Sequence, residues 1–106
     1  MGNKDSCIKL EMMSDHISDY ISKKVEKKTG YPLVKTGNYS YAYIKETDND
    51  ALFVPVTHNG KAIKYHVVFR KGMMIEVEKY KKEYMSQLNY VANYIIDYIN
   101  NGYEHR

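Results

Sequence analysis

Among the 106 residues, His66 and Glu76 are the one pair whose side chains suit shared acid–base work. If residues 62–70 and 73–77 are neighbouring strands, the carboxylate falls across from the imidazole. It would then hold the ring and raise its pKa. No nucleophile, glycine-rich phosphate loop or metal-ligand spacing accompanies the pair, and His16, His58 and His105 show no ligand spacing with His66. Cross-strand pairs of this kind are more often structural. The reading is therefore a non-catalytic protein with neither a cofactor nor a metal. Cys7 is the single cysteine, which excludes an internal disulfide or a cysteine-rich zinc site and points to a reducing, cytoplasmic setting.

Phosphate binding is the second chemistry to weigh. Lys23, Lys24, Lys27 and Lys28 cluster near the end of one helix, and Lys79, Lys81 and Lys82 stand near the start of another. Cations at a helix C-terminus complement its dipole, so the first cluster has an ordinary explanation, and Asp19 and Glu26 dilute it. The second cluster opposes the dipole and is the more informative. Net charge is only +3, less lopsided than a dedicated nucleic-acid binder usually shows. At the N-terminus, Gly2 with Ser6 matches the N-myristoylation pattern, and Cys7 is near enough to take a second lipid. One acyl chain anchors only marginally, so membrane association would need that second signal. No apolar run reaches the ~20 residues that cross a bilayer.

Contact chemistry is the third. The chain has twelve tyrosines against two phenylalanines and no tryptophan. Tyrosine buries a large ring with few rotors to freeze, which suits contact surfaces. Its 14 Lys, 9 Ile and 8 Asn, with only 2 Arg, are the choices of an AT-rich genome, such as a phage or mobile element of a low-GC host.

These residues need elements to position them. Residues 6–28 read as a helix, with Leu10, Met13, Ile17, Ile21 and Val25 on one face, Asp5 or Ser6 as cap, and Gly30 and Pro32 as terminators. Residues 38–46 alternate as a strand with Tyr39, Tyr41 and Tyr43 on one side. Residues 51–57 form the next strand. Asn59-Gly60 is a type I′ turn signal that sets Val56 against Ile63, Val54 against Tyr65 and Leu52 against Val67. A third strand covers 62–70. A loop with Gly72 in the left-handed region would lead to a fourth strand pairing Phe69 with Met73, Val67 with Ile75 and Tyr65 with Val77. A helix over 78–100 carries Tyr84, Leu88, Val91, Ile95 and Ile99 as its central stripe, with Tyr90, Tyr94 and Tyr98 along one side.

The expectation is a single α+β domain: helix, four-stranded antiparallel meander, long helix, with both helices on one sheet face and loose ends at 1–5 and 103–106. Tyr39, Tyr41, Tyr43 and Tyr65 should lie under the helices. The other face carries Ile44, Phe53, Lys64, His66, Val68, Arg70, Met74 and Glu76, a mixed surface resembling a contact face. In element order alone, with Lys79, Lys81 and Lys82 opening the last helix, the chain resembles a double-stranded-RNA-binding domain. The family's Gly-Pro-x-His loop is absent, and Lys79-Tyr80-Lys81-Lys82 departs from its Lys-Lys-x-Ala-Lys, so membership is not claimed. The function expected is a small protein-binding regulator or inhibitor, homodimeric through the last helix. A nucleic-acid-binding regulator using the lysines and aromatic rings is the alternative.

Overall fold

The computed structural model describes the backbone of residues 2–74 and 76–103, and side chains from Met12 onward within that span. The order is α1 (Gly2–Thr29), β1 (Leu33–Lys35), β2 (Ser40–Ile44), β3 (Asn49–His58), β4 (Lys61–Arg70) and α2 (Lys81–Asn100). This is an α+β fold with four antiparallel strands between two helices. Ile17, Ile21 and Val25, four residues apart and fully buried, form the apolar stripe of α1. Gly30 ends that helix with φ of 89°, its N–H donating to the Glu26 carbonyl at 2.9 Å. At the other end α1 starts at Gly2, so Asp5 and Ser6 lie inside the helix and do not cap it. Residues 2–5 belong to that helix and Tyr103 is half-buried; Met1 and residues 104–106 lie outside the described residues.

The β3–β4 hairpin follows the turn chemistry. Asn59 and Gly60 have φ of 51° and 83°, as a type I′ turn requires. The predicted pairs form: Val56 with Ile63, Val54 with Tyr65, Leu52 with Val67. The core lies on that face, where Leu52, Val54, Val56, Tyr65, Val67 and Phe69 meet Ile17, Ile21 and Val25 of α1 and Tyr84, Leu88, Val91 and Ile95 of α2. Both helices therefore cover the same side of the sheet.

The sheet contains the expected meander in β2–β3–β4, with β1 rather than a strand after β4 as its fourth member. β3 is its centre, and β4 pairs with one side of it over all ten residues. The other side is shared end to end by β1, opposite Val56–His58, and β2, opposite Asn49–Phe53. The division falls at Pro55, which lacks an N–H and offers only its carbonyl, taken by the Thr36 N–H at 2.9 Å. Gly37 crosses close to that ring, where a Cβ would sit 3.2 Å from the proline Cγ. Ser22 anchors β1 beneath α1, its hydroxyl accepting from the Leu33 N–H at 3.1 Å and donating to the Leu33 carbonyl at 2.9 Å.

No strand forms at 73–77 among the described residues; Ile75 lies outside them. Gly72 does take a positive φ, 82°, but the chain then winds in successive turns: Glu76 N–H to the Gly72 carbonyl, Tyr80 N–H to those of Glu76 and Val77. Met73 and Met74 are both 1% exposed, filling the core between the sheet end and α2. Two adjacent buried side chains are incompatible with a strand that has one wet face. The winding segment also delays α2, which begins at Lys81 rather than at 78.

Candidate functional site

With 73–77 out of the sheet, the pairings drawn for that strand do not exist. Glu76 is exposed in the winding segment and does not face His66; Val68 lies opposite Ala51, not Met74. Met74 leaves the outer face for the core. The acid–base pair considered from sequence is therefore not assembled. His66 does face Phe53, ring centroids 5.6 Å apart, with Ile44 and Val68 half-buried on the same face and Lys64 exposed beside them. Arg70 is drawn off this face toward α2, where its Nε and Nη2 donate to the two Glu83 carboxylate oxygens at 2.8 Å each. That pairing holds the Glu83 carboxyl below its usual pKa and the Arg70 guanidinium above its own.

The larger consequence is at β4. Among the described residues no strand pairs with its outer side, so ten residues of regular strand form an open sheet edge. Pro55 tells which groups it presents. The proline carbonyl points toward β1, so Pro55 and Lys64 are a non-hydrogen-bonded pair within the hairpin. The pattern alternates, which turns the N–H and C=O of Ala62, Lys64, His66, Val68 and Arg70 outward.

Above this edge runs the tyrosine side of α2. A groove of ≈ 460 Å³ lies between them, its floor formed by Ile63, Lys64, Tyr65 and His66 and its wall by Tyr90, Val91, Tyr94, Ile95 and Tyr98. Two groups of residues predicted on separate surfaces, Lys64 with His66 and Tyr90 with Tyr94 and Tyr98, thus line one site. Tyr90 and Tyr94 are 66% and 55% exposed, far more than a core position allows. Tyr98 is half-buried, edge-on to Tyr103. Ile63, Tyr65, Val91 and Ile95 had been read as core alone. Their part in the groove was hidden by the strand expected beside β4. Tyr65 is buried, and burial pushes the pKa of its hydroxyl up to about 12, with the neighbouring Ser18 drawing it partly back.

The remaining tyrosines split differently from expectation. Tyr39 is half-buried and donates to Asp15 at 2.6 Å; burial first, then that carboxylate, raise its pKa. Tyr41 and Tyr43 are 45% and 50% exposed and do not lie sealed under the helices. Both reach the rim: Tyr41 hydrogen-bonds Ser14, and Tyr43 donates to Asp48, which raises its pKa. The alternation holds, with Tyr41 opposite Leu52 and Tyr43 opposite Asp50 on β3, whereas the burial expected of both rings does not.

The lysines do not converge. Lys23 bridges Asp19 at 3.0 Å, and Lys24 donates to Asn89. Lys27 and Lys28 occupy the last turn of α1. Lys79 sits 5.3 Å over the Tyr80 ring, and Lys81 and Lys82 are exposed at the start of α2. Thr29 meets His58 at one end of the β3–β4 hairpin, whereas Glu83 meets Arg70 at the other. The two clusters are therefore separated by about the length of a ten-residue strand, ~30 Å. Gly2 opens α1, in the part whose side chains lie outside the described residues, so the lipidation pattern gains no structural context.

A buried histidine that sequence reading passed over completes the picture. His58 is 2% exposed. Its Nε2 lies 2.8 Å from the Thr29 hydroxyl and its Nδ1 2.7 Å from the Tyr103 hydroxyl. Thr29 already donates to the Val25 carbonyl at 2.8 Å, so it accepts from Nε2–H while Tyr103 donates to Nδ1. One neutral tautomer satisfies every group. The site ties α1, the hairpin and the C-terminal segment together. Among the described residues no group of three or more His, Cys, Asp or Glu could hold a metal ion, and no helix is long and apolar enough to cross a membrane. Compared with known protein families, characterised proteins and solved structures, the chain finds no match.

Proposed function

We propose that the protein is a small non-catalytic regulator that acts by binding protein, using the groove between the β4 edge and the tyrosine side of α2. One observation carries this reading: the long, regular edge of β4 lies open beneath exposed tyrosines, while the opposite edge is broken into short pieces. Native sheets normally blunt their edges by shortening, proline, bulges or charged side chains, of which β4 has the exposed Lys64 near its middle. The β1–β2 edge is managed in that way, with strands of three and five residues parted at Pro55. The β4 edge has no proline and pairs with β3 without a bulge. An extended segment of a partner fits such an edge by strand addition. Main-chain hydrogen bonds supply affinity there, and side chains entering the groove supply selectivity.

Nucleic-acid binding is the weaker reading, because the two lysine clusters stand at opposite ends of the molecule and part of the first is already paired. Salt separates the two. Binding of a protein partner captured from the source cell should change little between low and moderate salt, and Tyr90→Ala should weaken it. Binding to DNA or RNA that falls steeply with salt and depends on Lys81 and Lys82 would overturn the proposal.

A further inference from the structure

The groove commits to a particular occupant once its register is considered. In an antiparallel pair, directly opposed side chains lie on the same sheet face. A strand pairing with its own copy about a two-fold axis must therefore place residues of equal parity opposite one another. The outward-facing groups of β4 are those of Ala62, Lys64, His66, Val68 and Arg70. An axis at Val67 would set Lys64 against Arg70 of the second copy, twice, with like charges opposed. An axis at Tyr65 sets Lys64 against His66 of the second copy and leaves Arg70 facing the hairpin turn. An axis at His66 pairs Lys64 with Val68 and Ala62 with Arg70, so residues 62–70 overlap in full with no permanently charged pair opposed among them. Lys61 falls opposite Lys71 of the second copy just past the strand end, where the Lys71 ammonium is turned toward the Tyr43 ring, 5.4 Å from its centroid. On the inner face the same register sets Tyr65 against Val67 and Ile63 against Phe69, apolar against apolar.

The second layer agrees with the first. α2 packs over β4, with Tyr84 stacked on Phe69 at 5.4 Å near one end and the groove at its middle. An axis through the middle of β4 therefore brings the Tyr90 and Tyr94 sides of two α2 helices toward each other. These are large amphipathic rings, more than half exposed. The wall they share with Val91 and Ile95 carries no charge that would select an acidic or basic ligand. Such a surface matches itself.

We propose that the occupant of the groove is a second copy of this chain: two β4 strands pair antiparallel about an axis at His66, joining the sheets, and the α2 tyrosines close over the joint. This rests on the reading of the β4–α2 face as a protein-contact surface. Light scattering should give twice the 12.5 kDa of the chain. Tyr90→Lys combined with Tyr94→Lys, both at exposed positions, should give a folded monomer with an unchanged circular-dichroism spectrum. In a Cys7→Ser background, His66→Cys should form a disulfide-linked dimer under mild oxidation, and Lys64→Cys should not, because its copies stand four residues apart along the paired strands. Amide exchange at Lys64, His66 and Val68 should slow as protein concentration rises. A chain that stays monomeric, with those amides unprotected at every concentration, would overturn the self-pairing. If a different protein then protects them, the contact-surface reading survives while self-pairing falls; if nothing does, both fall.

Discussion

His58 shows how much one side chain can organise when it is buried and neutral. It joins Thr29 at the end of α1 to Tyr103 beyond α2, and Tyr31 packs edge-on to its ring at 5.9 Å. Burial lowers its pKa below 6.5, with the Tyr31 backbone drawing it partly back. The folded protein therefore binds the proton more weakly than the unfolded chain does. The His58 contribution should be complete above about pH 6.5 and decline as pH falls below that value toward the lowered folded pKa. Urea unfolding at pH 8 and pH 5 would measure this. His58→Gln should flatten the pH slope below 6.5, and His58→Ala should cost about 2–3 kcal/mol at pH 8 through lost packing and unpaired hydroxyls. An unchanged slope in the glutamine variant would show that other groups set the pH dependence. The spacing of histidines in the sequence could not reveal His58, because its partners are a threonine and a tyrosine 29 and 45 residues away.

At the scale of elements, the segment between β4 and α2 decides which face of the sheet is finished and which edge is open. Met74 tests it directly. As an outer-face strand residue, Met74→Ala would change stability by under ~0.5 kcal/mol. As the buried core residue it is, the substitution should cost about 2–4 kcal/mol, read from the urea midpoint. The hairpin register was legible because two independent signals agreed: Asn59-Gly60 fixed the turn, and the alternation of Leu52, Val54 and Val56 fixed the face. The helices were legible from their four-residue spacing. The segment at 73–77 misled because Met-Met-Ile-Glu-Val also alternates plausibly, yet one warning was present. A strand ending at Val77 and a helix starting at Glu78 leave no residues for the two-to-six-residue connection that such a crossing normally takes. β1 was illegible for the opposite reason: three residues after Pro32 carry too little pattern to be seen, and Ser22 of α1 rather than local propensity holds them in place. The groove inherited the first of these errors. Its tyrosines and its His66 were chosen from sequence, but a phantom strand stood between them.

For the molecule as a whole, the two sheet edges are treated unequally, and the parity of β4 makes that difference measurable. Proline at a position whose N–H points away from β3 removes no hydrogen bond from the monomer; proline one residue along removes a ladder bond and breaks the hairpin. Lys64 is exposed and lies opposite Pro55 at a non-hydrogen-bonded pair, so its N–H belongs to the open edge. Tyr65 is buried opposite Val54, and its N–H belongs to the interior ladder. Lys64→Pro should therefore fold, losing about 1 kcal/mol or less to local strain, while Tyr65→Pro should lose ~3 kcal/mol or more. The same Lys64→Pro chain should also fail to add a strand at β4, because a donor and the space for a neighbouring backbone are both gone. Thermal melts report the first effect, and light scattering or partner binding reports the second. Two equally damaged variants would mean that the hydrogen-bond phase of β4 is the reverse of the one Pro55 implies. A folded Lys64→Pro variant that still associates would place the contact elsewhere on the molecule.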